Sequence, residues 1–154
     1  MSAEYPPEVR SQLYHRLNEM GKVYGVHFNR SDGYLANSRR ALILSEYAKK
    51  TSSFDILHLN IFKAYFEDCR DIGDREVLIH LAESSGLSRE EVEQALQDIS
   101  LKQQLREIAT TAHQEGATGG VPTFIINEKY KIVGAQPYSV FQGTLQKIVA
   151  EKNS

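Results

Sequence analysis

The spacing of apolar residues predicts helices over most of the first 115 residues. Apolar positions recur every three to four residues in about six successive segments, as one face of an amphipathic helix requires. The longer predicted helices cover 7–20, 36–49, 55–66 and 101–115, and two shorter ones lie between 74 and 98. The helix over 55–66 is so rich in large apolar residues that we expect it to be central and buried on more than one side.

Polar residues mark the ends of the shorter helices. Asp74 is a predicted N-cap, and Gly86 can end the same helix in a left-handed conformation. Ser88 and Glu91 have the spacing of a capping box, in which each side chain accepts a hydrogen bond from the other residue's backbone N–H. These signals predict two short helices with well-defined starts.

The pattern changes after Gly116. Residues 123–126 form a β-branched and aromatic run of strand length, Asn127 and Glu128 predict a turn, and 129–133 predict the returning strand. A last helix is predicted over 137–150. Its predicted inward residues are Val140, Phe141, Leu145, Ile148 and Val149. Because a lone two-stranded hairpin is marginal in water, it must pack on helices or join strands that the chain does not contain.

Length and charge narrow the class of protein. The 154 residues fit one domain, and 18 basic against 20 acidic side chains give no strong field to hold nucleic acid or an anionic membrane. No apolar run has the length of a membrane span, and residues 1–5 lack the features of a signal peptide. We therefore expect a cytoplasmic protein without nucleic-acid or membrane partners.

Cysteine occurs once, as Cys69. A single cysteine excludes an internal disulfide, a Cys-x-x-Cys pair and a cysteine-based zinc site within this chain. The neighbours Glu67, Asp68 and Asp71 oppose a stabilised thiolate, so Cys69 is interpreted as an inert, lightly buried thiol rather than a catalytic one.

Other candidate sites have structural explanations. The histidines are scattered without metal-ligand spacing and are His15, His27, His58, His80 and His113. The glycine-rich run 116–120 precedes a strand and lacks the lysine of a phosphate-binding loop. The carboxylates Glu90, Glu91 and Glu93 suit the first turn of a helix. We therefore predict no catalytic residue, no metal site and no cofactor.

Four motifs in the same order resemble the DsbA family, and more narrowly its FrnE-like branch. They are Phe62-Lys63-Ala64-Tyr65-Phe66, Ile72-Gly73-Asp74, Gly120-Val121-Pro122-Thr123-Phe124 and Gly134-Ala135-Gln136-Pro137. The resemblance extends from about Pro7 to Ile148 and implies a thioredoxin fold split by a helical insertion. It also implies that Pro122 is the family's cis-proline, and that Val121, Pro122 and Thr123 bind an extended substrate peptide.

The family's first strand, Cys-x-x-Cys helix and second strand have no counterpart here. The expected fold is therefore mostly α with a small β-hairpin, an incomplete thioredoxin-like α/β fold with a DsbA-type helical insertion. We expect one DsbA-like domain over 1–154, with the insertion and its flanking helices at about 7–115 and the proline loop, hairpin and last helix at 116–150. The resemblance leaves the edge of strand 123–126 open, so we expect a homodimer or another chain to cover it.

Three functions follow from this resemblance. The first is a FrnE-like thiol-disulfide oxidoreductase relative, truncated or encoded without its redox half and inactive alone, because exchange needs a reactive thiolate and a resolving cysteine. The second is a non-catalytic peptide-binding or self-assembly module. The third is a relative of the glutathione-dependent isomerases, although their active-site residue also belongs to the absent part.

Overall fold

The computed structural model of the chain describes residues 6–29, 35–117 and 120–152. Residues 1–5 and the pair Thr118 and Gly119 of the glycine-rich run lie outside the described residues. Within the described ranges the chain is mostly α-helical, with one antiparallel two-stranded hairpin, as predicted. The helices are α1 (Pro7–Gly21), α2 (Arg39–Ala48), α3 (Phe54–Phe66), α4 (Arg75–Glu83), α5 (Arg89–Gln97), α6 (Ile99–Gln114) and α7 (Tyr138–Lys152), and the strands are β1 (Thr123–Ile126) and β2 (Tyr130–Val133).

The chain divides into two compact units, Met1–Leu105 and Arg106–Ser154, which we call the helical unit and the hairpin unit. The helical unit contains nearly all of the fully buried apolar side chains, on α2, α3, α4, α5 and the start of α6. The largest of these are Leu44, Leu57, Leu78, Ile79, Val92 and Leu101. The predicted organisation as a single domain over 1–154 stays a prediction.

Two predictions about the core helices were wrong. On α2 the sequence pattern predicts one inward face made of Ala41, Leu42, Leu44, Ser45 and Ala48. Ala41, Leu44 and Ala48 are buried, but Leu42 is exposed and Ile43 is buried instead. On α3 only one face is buried, through Leu57, Ile61 and Ala64. The opposite face is exposed, and Leu59 keeps 69% of its surface accessible. The reason is that the described residues pack α2 and α4 against one side of α3 and leave the other side without a neighbouring helix.

A polar contact, rather than the apolar stripe of α1, joins this helix to the segment that follows it. The Asn18 side chain binds the Phe28 backbone twice, because its amide donates to the carbonyl at 2.7 Å and its oxygen accepts from the N–H at 2.8 Å. The Phe28 ring then packs edge-on against Phe66, 5.5 Å between centroids. The apolar stripe of α1, whose spacing predicts an amphipathic helix, is exposed at Val9 and Leu13.

The caps of α4 and α5 agree with the sequence. The Asp74 carboxylate accepts a hydrogen bond from the Val77 N–H at 3.0 Å, and Gly86 has a φ of 93°. At α5 the Ser88 N–H donates to the Glu91 carboxylate at 2.8 Å, and the Glu91 N–H donates to the Ser88 hydroxyl at 3.2 Å. Both the predicted N-cap and the predicted capping box are confirmed.

The capping box should make stability depend on pH. Hydrogen bonds from the backbone and then the hydroxyl of Ser88 lower the pKa of Glu91 below its ordinary value of 4.5. A lowered carboxyl pKa stabilises the folded state above the unfolded pKa, and this stabilisation is lost as the pH falls through the folded pKa. We expect the melting temperature to fall more between pH 6 and pH 3 for the natural protein than for Glu91→Gln, which keeps a capping oxygen without the charge. Equal pH dependence in calorimetry would contradict this assignment, and Glu90→Gln, one residue away, is the control.

The hairpin unit has few buried side chains. Among its described residues Ile132 is the buried apolar one, and it lies opposite Phe124 in the β1–β2 register. Of the α7 residues predicted to face inward, Phe141 and Ile148 are half-buried, whereas Val140, Leu145 and Val149 are exposed, which corrects that prediction. On α6 the sequence pattern predicts an inward face of Leu105, Ile108, Ala109 and Ala112. Leu105 and Ala112 are half-buried, whereas Ile108 and Ala109 are exposed.

Candidate functional site

The loop that precedes β1 is held by hydrogen bonds at both of its ends. The Thr123 hydroxyl donates to the Gly120 carbonyl at 2.6 Å, and the Gly134 N–H, beyond β2, donates to the Pro122 carbonyl at 2.7 Å. Gly120 has a φ of 144°, a conformation that favours glycine. The peptide bond between Val121 and Pro122 is cis. The structure therefore brings the three predicted binding residues together in one defined loop.

Val121 is almost fully accessible in this loop. Its surface is 91% exposed, and Pro122 beside it is exposed as well. Among the described residues, neither the N–H nor the carbonyl of Val121 takes part in the hydrogen bonds that fix the loop. Within the described part of the chain, the Val121 N–H and carbonyl are thus unpaired, like the outer main-chain groups of an edge strand.

The hairpin positions this loop. In the antiparallel register Thr123 pairs with Val133 and Ile126 with Tyr130. The connection begins with Asn127 and Glu128, which both have positive φ angles of 50° and 57°. Left-handed residues in this place give the connection a twist that matches the twist of the strands. Asn127 suits this conformation, and the predicted turn is confirmed.

Helix α7 packs against one face of the hairpin. The rings of Phe124 and Phe141 lie edge to face, 5.0 Å between centroids. At the other end of α7, Glu151 accepts hydrogen bonds from the Tyr130 hydroxyl and from the Lys129 ammonium. The bond to Lys129 lowers the pKa of Glu151, and the bond to Glu151 raises the pKa of Tyr130. These contacts fix the hairpin on α7 and place no ionisable group at the loop.

Cys69 lies outside the predicted site, in the turn that follows α3. It is exposed rather than lightly buried, and its φ of 57° is uncommon for a residue other than glycine. Its sulfur lies 3.9 Å from the Glu67 carbonyl oxygen. The turn after α3 ends the helix and directs the thiol outward, which corrects the prediction of partial burial.

The other candidate groups do not assemble into a site. The Gly116 carbonyl accepts a hydrogen bond from Lys131, so this part of the glycine-rich run binds a side chain of β2. No group of three potential metal ligands occurs within the part of the chain that the structure describes. Across 6–29, 35–117 and 120–152, no helix combines the length and the apolar character needed to cross a membrane.

The sequence interpretation missed one concave surface. A groove of about 500 Å³ lies between α2 and α3 in the helical unit. Aromatic rings one helical turn apart follow its α3 side, with centroids 5.3 Å apart for Phe54 and His58 and 4.8 Å apart for His58 and Phe62. The spacing of four residues between these rings is visible in the sequence, but the sequence interpretation assigned only Phe62 to the buried helix and considered His58 only as a metal ligand.

Comparisons with known proteins place this architecture. Residues 3–146 match the DSBA-like thioredoxin domain. The uncharacterised protein YwbO of Bacillus subtilis (strain 168) is 31% identical over 96 residues, which are 62% of this chain and 48% of that protein. The crystal structure of the probable DsbA oxidoreductase SCO1869 from Streptomyces coelicolor superposes with a TM-score of 0.78 and 28% identity over 94% of this chain and 62% of that one.

A candidate protein disulfide isomerase from Nitrosomonas europaea shares the fold, with a TM-score of 0.71 and 16% identity over 98% of this chain and 78% of that one. The chain therefore spans about half the length of YwbO and less than two thirds of the Streptomyces protein. The predicted fold class and the resemblance to DsbA proteins are confirmed. This chain belongs to the family of DSBA-like thioredoxin domains.

Proposed function

We propose that this chain is a FrnE-like member of the thiol-disulfide oxidoreductase family that binds extended polypeptide at the Val121–Pro122–Thr123 loop and has no redox turnover of its own. The observation that carries the proposal is the pairing of an accessible, well-fixed binding loop with a single exposed cysteine. The loop supports binding, and the cysteine content limits the chemistry.

The chemical argument concerns the number of thiols. In exchange, a thiolate attacks one sulfur of a substrate disulfide, forms a mixed disulfide and releases the other sulfur as a thiolate. A second cysteine must then attack the mixed disulfide to release the reduced substrate and leave an oxidised pair. The chain has one cysteine, so after the first step Cys69 would stay bound to its substrate. Dithiol turnover would need the second thiol from another molecule.

The binding argument rests on Val121. An extended peptide adds to a free strand edge through main-chain hydrogen bonds and gains affinity without a charged anchor. Val121 offers both main-chain groups and an exposed apolar side chain. Because Thr123 and Gly134 already fix the loop, little conformational entropy remains to be lost on binding.

The redox part is tested with an insulin-reduction assay on the purified chain, with dithiothreitol as reductant. Dithiothreitol can itself resolve a mixed disulfide, so this assay asks whether Cys69 forms one at all. Because the acidic neighbours Glu67, Asp68 and Asp71 oppose a Cys69 thiolate, we expect the rate to equal that of Cys69→Ser and of buffer alone. Turnover that is robust and lost in Cys69→Ser would show that the lone thiol works catalytically and would overturn this part of the proposal.

The binding part is tested by fluorescence anisotropy with a labelled, reduced and alkylated insulin B chain as an unfolded polypeptide without free thiols. Val121→Pro removes the backbone donor, and we expect it to weaken binding at least about tenfold, the scale of one lost buried hydrogen bond with its partner left unpaired. Val121→Ala keeps the backbone groups and should change the affinity only a few-fold. Equal affinity of the natural protein and Val121→Pro, or no binding by either, would contradict the proposed site.

A further inference from the structure

The outer edge of β1 has open main-chain groups. In an antiparallel pair, alternate residues direct their N–H and carbonyl groups to the partner strand. The Gly134 N–H donates to the Pro122 carbonyl, so the main chain of Pro122 is directed toward β2. Every second residue repeats this orientation, so the main-chain groups of Phe124 and Ile126 are also directed toward β2. Thr123 and Ile125 therefore direct their main-chain groups away from β2. Among the described residues the sheet has only these two strands, so this edge is unpaired.

This edge lacks the usual protection against pairing. Natural edge strands carry charged side chains, an internal proline or a bulge. Thr123–Ile126 is uncharged and has no proline within it. Its two faces both expose apolar surface, because Phe124 is 41% and Ile125 is 37% accessible. An added strand would satisfy the main-chain groups and cover apolar surface on both faces.

Helix α7 carries a second apolar surface beside the same edge. Successive residues turn by about 100° around a helix. Lys147 and Glu151 contact Tyr130 and so mark the flank of α7 on the β2 side. Phe141 meets Phe124 and marks the face toward β1.

The flank of α7 beyond Phe141, on the β1 side, is an uncharged strip that we call the α7 strip. Its residues are spaced by four, three and four positions, the spacing of a helix-packing seam. Its apolar members are 80%, 51% and 59% accessible for Tyr138, Leu145 and Val149, respectively. The α7 strip consists of Tyr138, Gln142, Leu145 and Val149.

We propose that two copies of this chain associate about a two-fold axis by pairing β1 with β1 of the second copy, which forms one four-stranded antiparallel sheet. Pairing Thr123 of one copy with Ile125 of the other uses all of the outward main-chain groups and places Phe124 opposite its own copy. The axis is perpendicular to the sheet, so both α7 helices lie on the same face. Neighbouring strands are about 4.8 Å apart, so helices centred on adjacent hairpins lie about 10 Å apart, the spacing of packed helices. The two α7 strips then meet as the strands pair.

A second copy fits this surface for reasons of charge and symmetry. Neither the β1 edge nor the α7 strip carries a charge, so the same surface can face itself without like-charge repulsion, and the net charge of −2 per chain is small. An isologous two-fold contact closes after two copies, which covers the edge without further growth. A strand from a different polypeptide would cover the edge but would supply no helix for the α7 strip.

The proposal is tested by sedimentation equilibrium over a range of concentrations, with substitutions on each half of the surface. We expect a concentration-dependent dimer in the natural protein. Ile125→Lys places like charges at the strand pair and Leu145→Lys places them between the strips, and each should raise the dissociation constant at least about tenfold. Ser139→Lys puts the same charge on α7 outside the strip and should leave the dissociation constant unchanged. A natural protein that is monomeric at all concentrations would overturn the proposal, as would a dimer indifferent to both lysines.

Cross-linking tests the register and does not depend on the lysine variants folding. Phe124 and its copy occupy a close, non-hydrogen-bonded pair with Cα atoms about 4.5 Å apart, within the range of a disulfide. Phe124→Cys in a Cys69→Ser background should oxidise to a covalent dimer on a non-reducing gel. Lys131→Cys, on the other strand of the hairpin, should not. The opposite pattern would refute this pairing. Thr123 belongs both to the paired strand and to the proposed peptide-binding loop, so both measurements are made without added peptide, and neither result depends on peptide binding at Val121.

Discussion

Replacing Leu57 with alanine is expected to lower the free energy of unfolding by about 3 kcal/mol, a value within the range for a fully buried leucine. Leu57 has no accessible surface and lies on the buried face of α3 with Ile61 and Ala64. Alanine would remove the burial of three carbon atoms and leave a cavity that rigid neighbouring helices fill only in part. Urea denaturation followed by circular dichroism at the helical band measures the change.

The matched control is Leu59→Ala, two residues along the same helix. Leu59 is exposed, so the same chemical change should alter the free energy of unfolding by less than about 0.5 kcal/mol. If the two substitutions cost the same, α3 does not have the one-sided burial described above, and a partner on its outer face becomes the simplest explanation.

Replacing Ile132 with alanine is expected to have the second largest effect, about 2 to 3 kcal/mol. Ile132 is 5% accessible and lies opposite Phe124, whose ring packs on Phe141. Because few side chains are buried in the hairpin unit, losing the buried Ile132 side chain should lower the free energy of local opening in that unit. Amide hydrogen exchange should then be faster in β1, β2 and α7, whereas the exchange rates in α2–α5 should change little.

Lys131→Ala provides the comparison on the same strand. Lys131 is exposed and points to the opposite face of the hairpin, where it donates to the Gly116 carbonyl. Its loss should cost less than about 1 kcal/mol. Exchange that accelerates equally in both units after Ile132→Ala would mean that the two units unfold together, contrary to the expectation of local opening.

Local signals in the sequence were reliable because the interactions behind them are local. The capping box of Ser88 and Glu91 closes within four residues, and Asn127 adopts the left-handed turn conformation because its own side chain tolerates it. Neither depends on the rest of the fold. The starts of α4 and α5 and the position of the hairpin were therefore predictable from the sequence alone.

Burial was harder to predict because it depends on which helices become neighbours. Leu42 and Ile43 are adjacent and equally apolar, and only the packing of α2 against α3 and α5 decides which of them is buried. On α3 the pattern correctly indicates an apolar helix, but it cannot show that the second apolar face has no neighbour among the described residues.

The location of the candidate site in the chain was predictable, but the accessibility and hydrogen bonding of its residues were not. The residues around Pro122 were identified through the resemblance to the DsbA family, since no composition or spacing rule singles out one loop proline. The accessibility of Val121 and its free main-chain groups follow from the hydrogen bonds that Thr123 and Gly134 make with neighbouring residues, which the sequence does not show. The α7 strip was overlooked because exposed and buried faces of an amphipathic helix have the same period.

The exposed outer face of α3 has a practical consequence for studying this protein. Dyes such as anilinonaphthalenesulfonate fluoresce when they adsorb to contiguous apolar surface, which is why they are used to detect loosened, partly folded states. With Ile56, Leu59 and Phe62 accessible on one helix, the native protein itself should bind such a dye at room temperature. A high signal before heating would thus be a property of the well-packed fold, and thermal shifts for this chain should be recorded by calorimetry or intrinsic ellipticity instead.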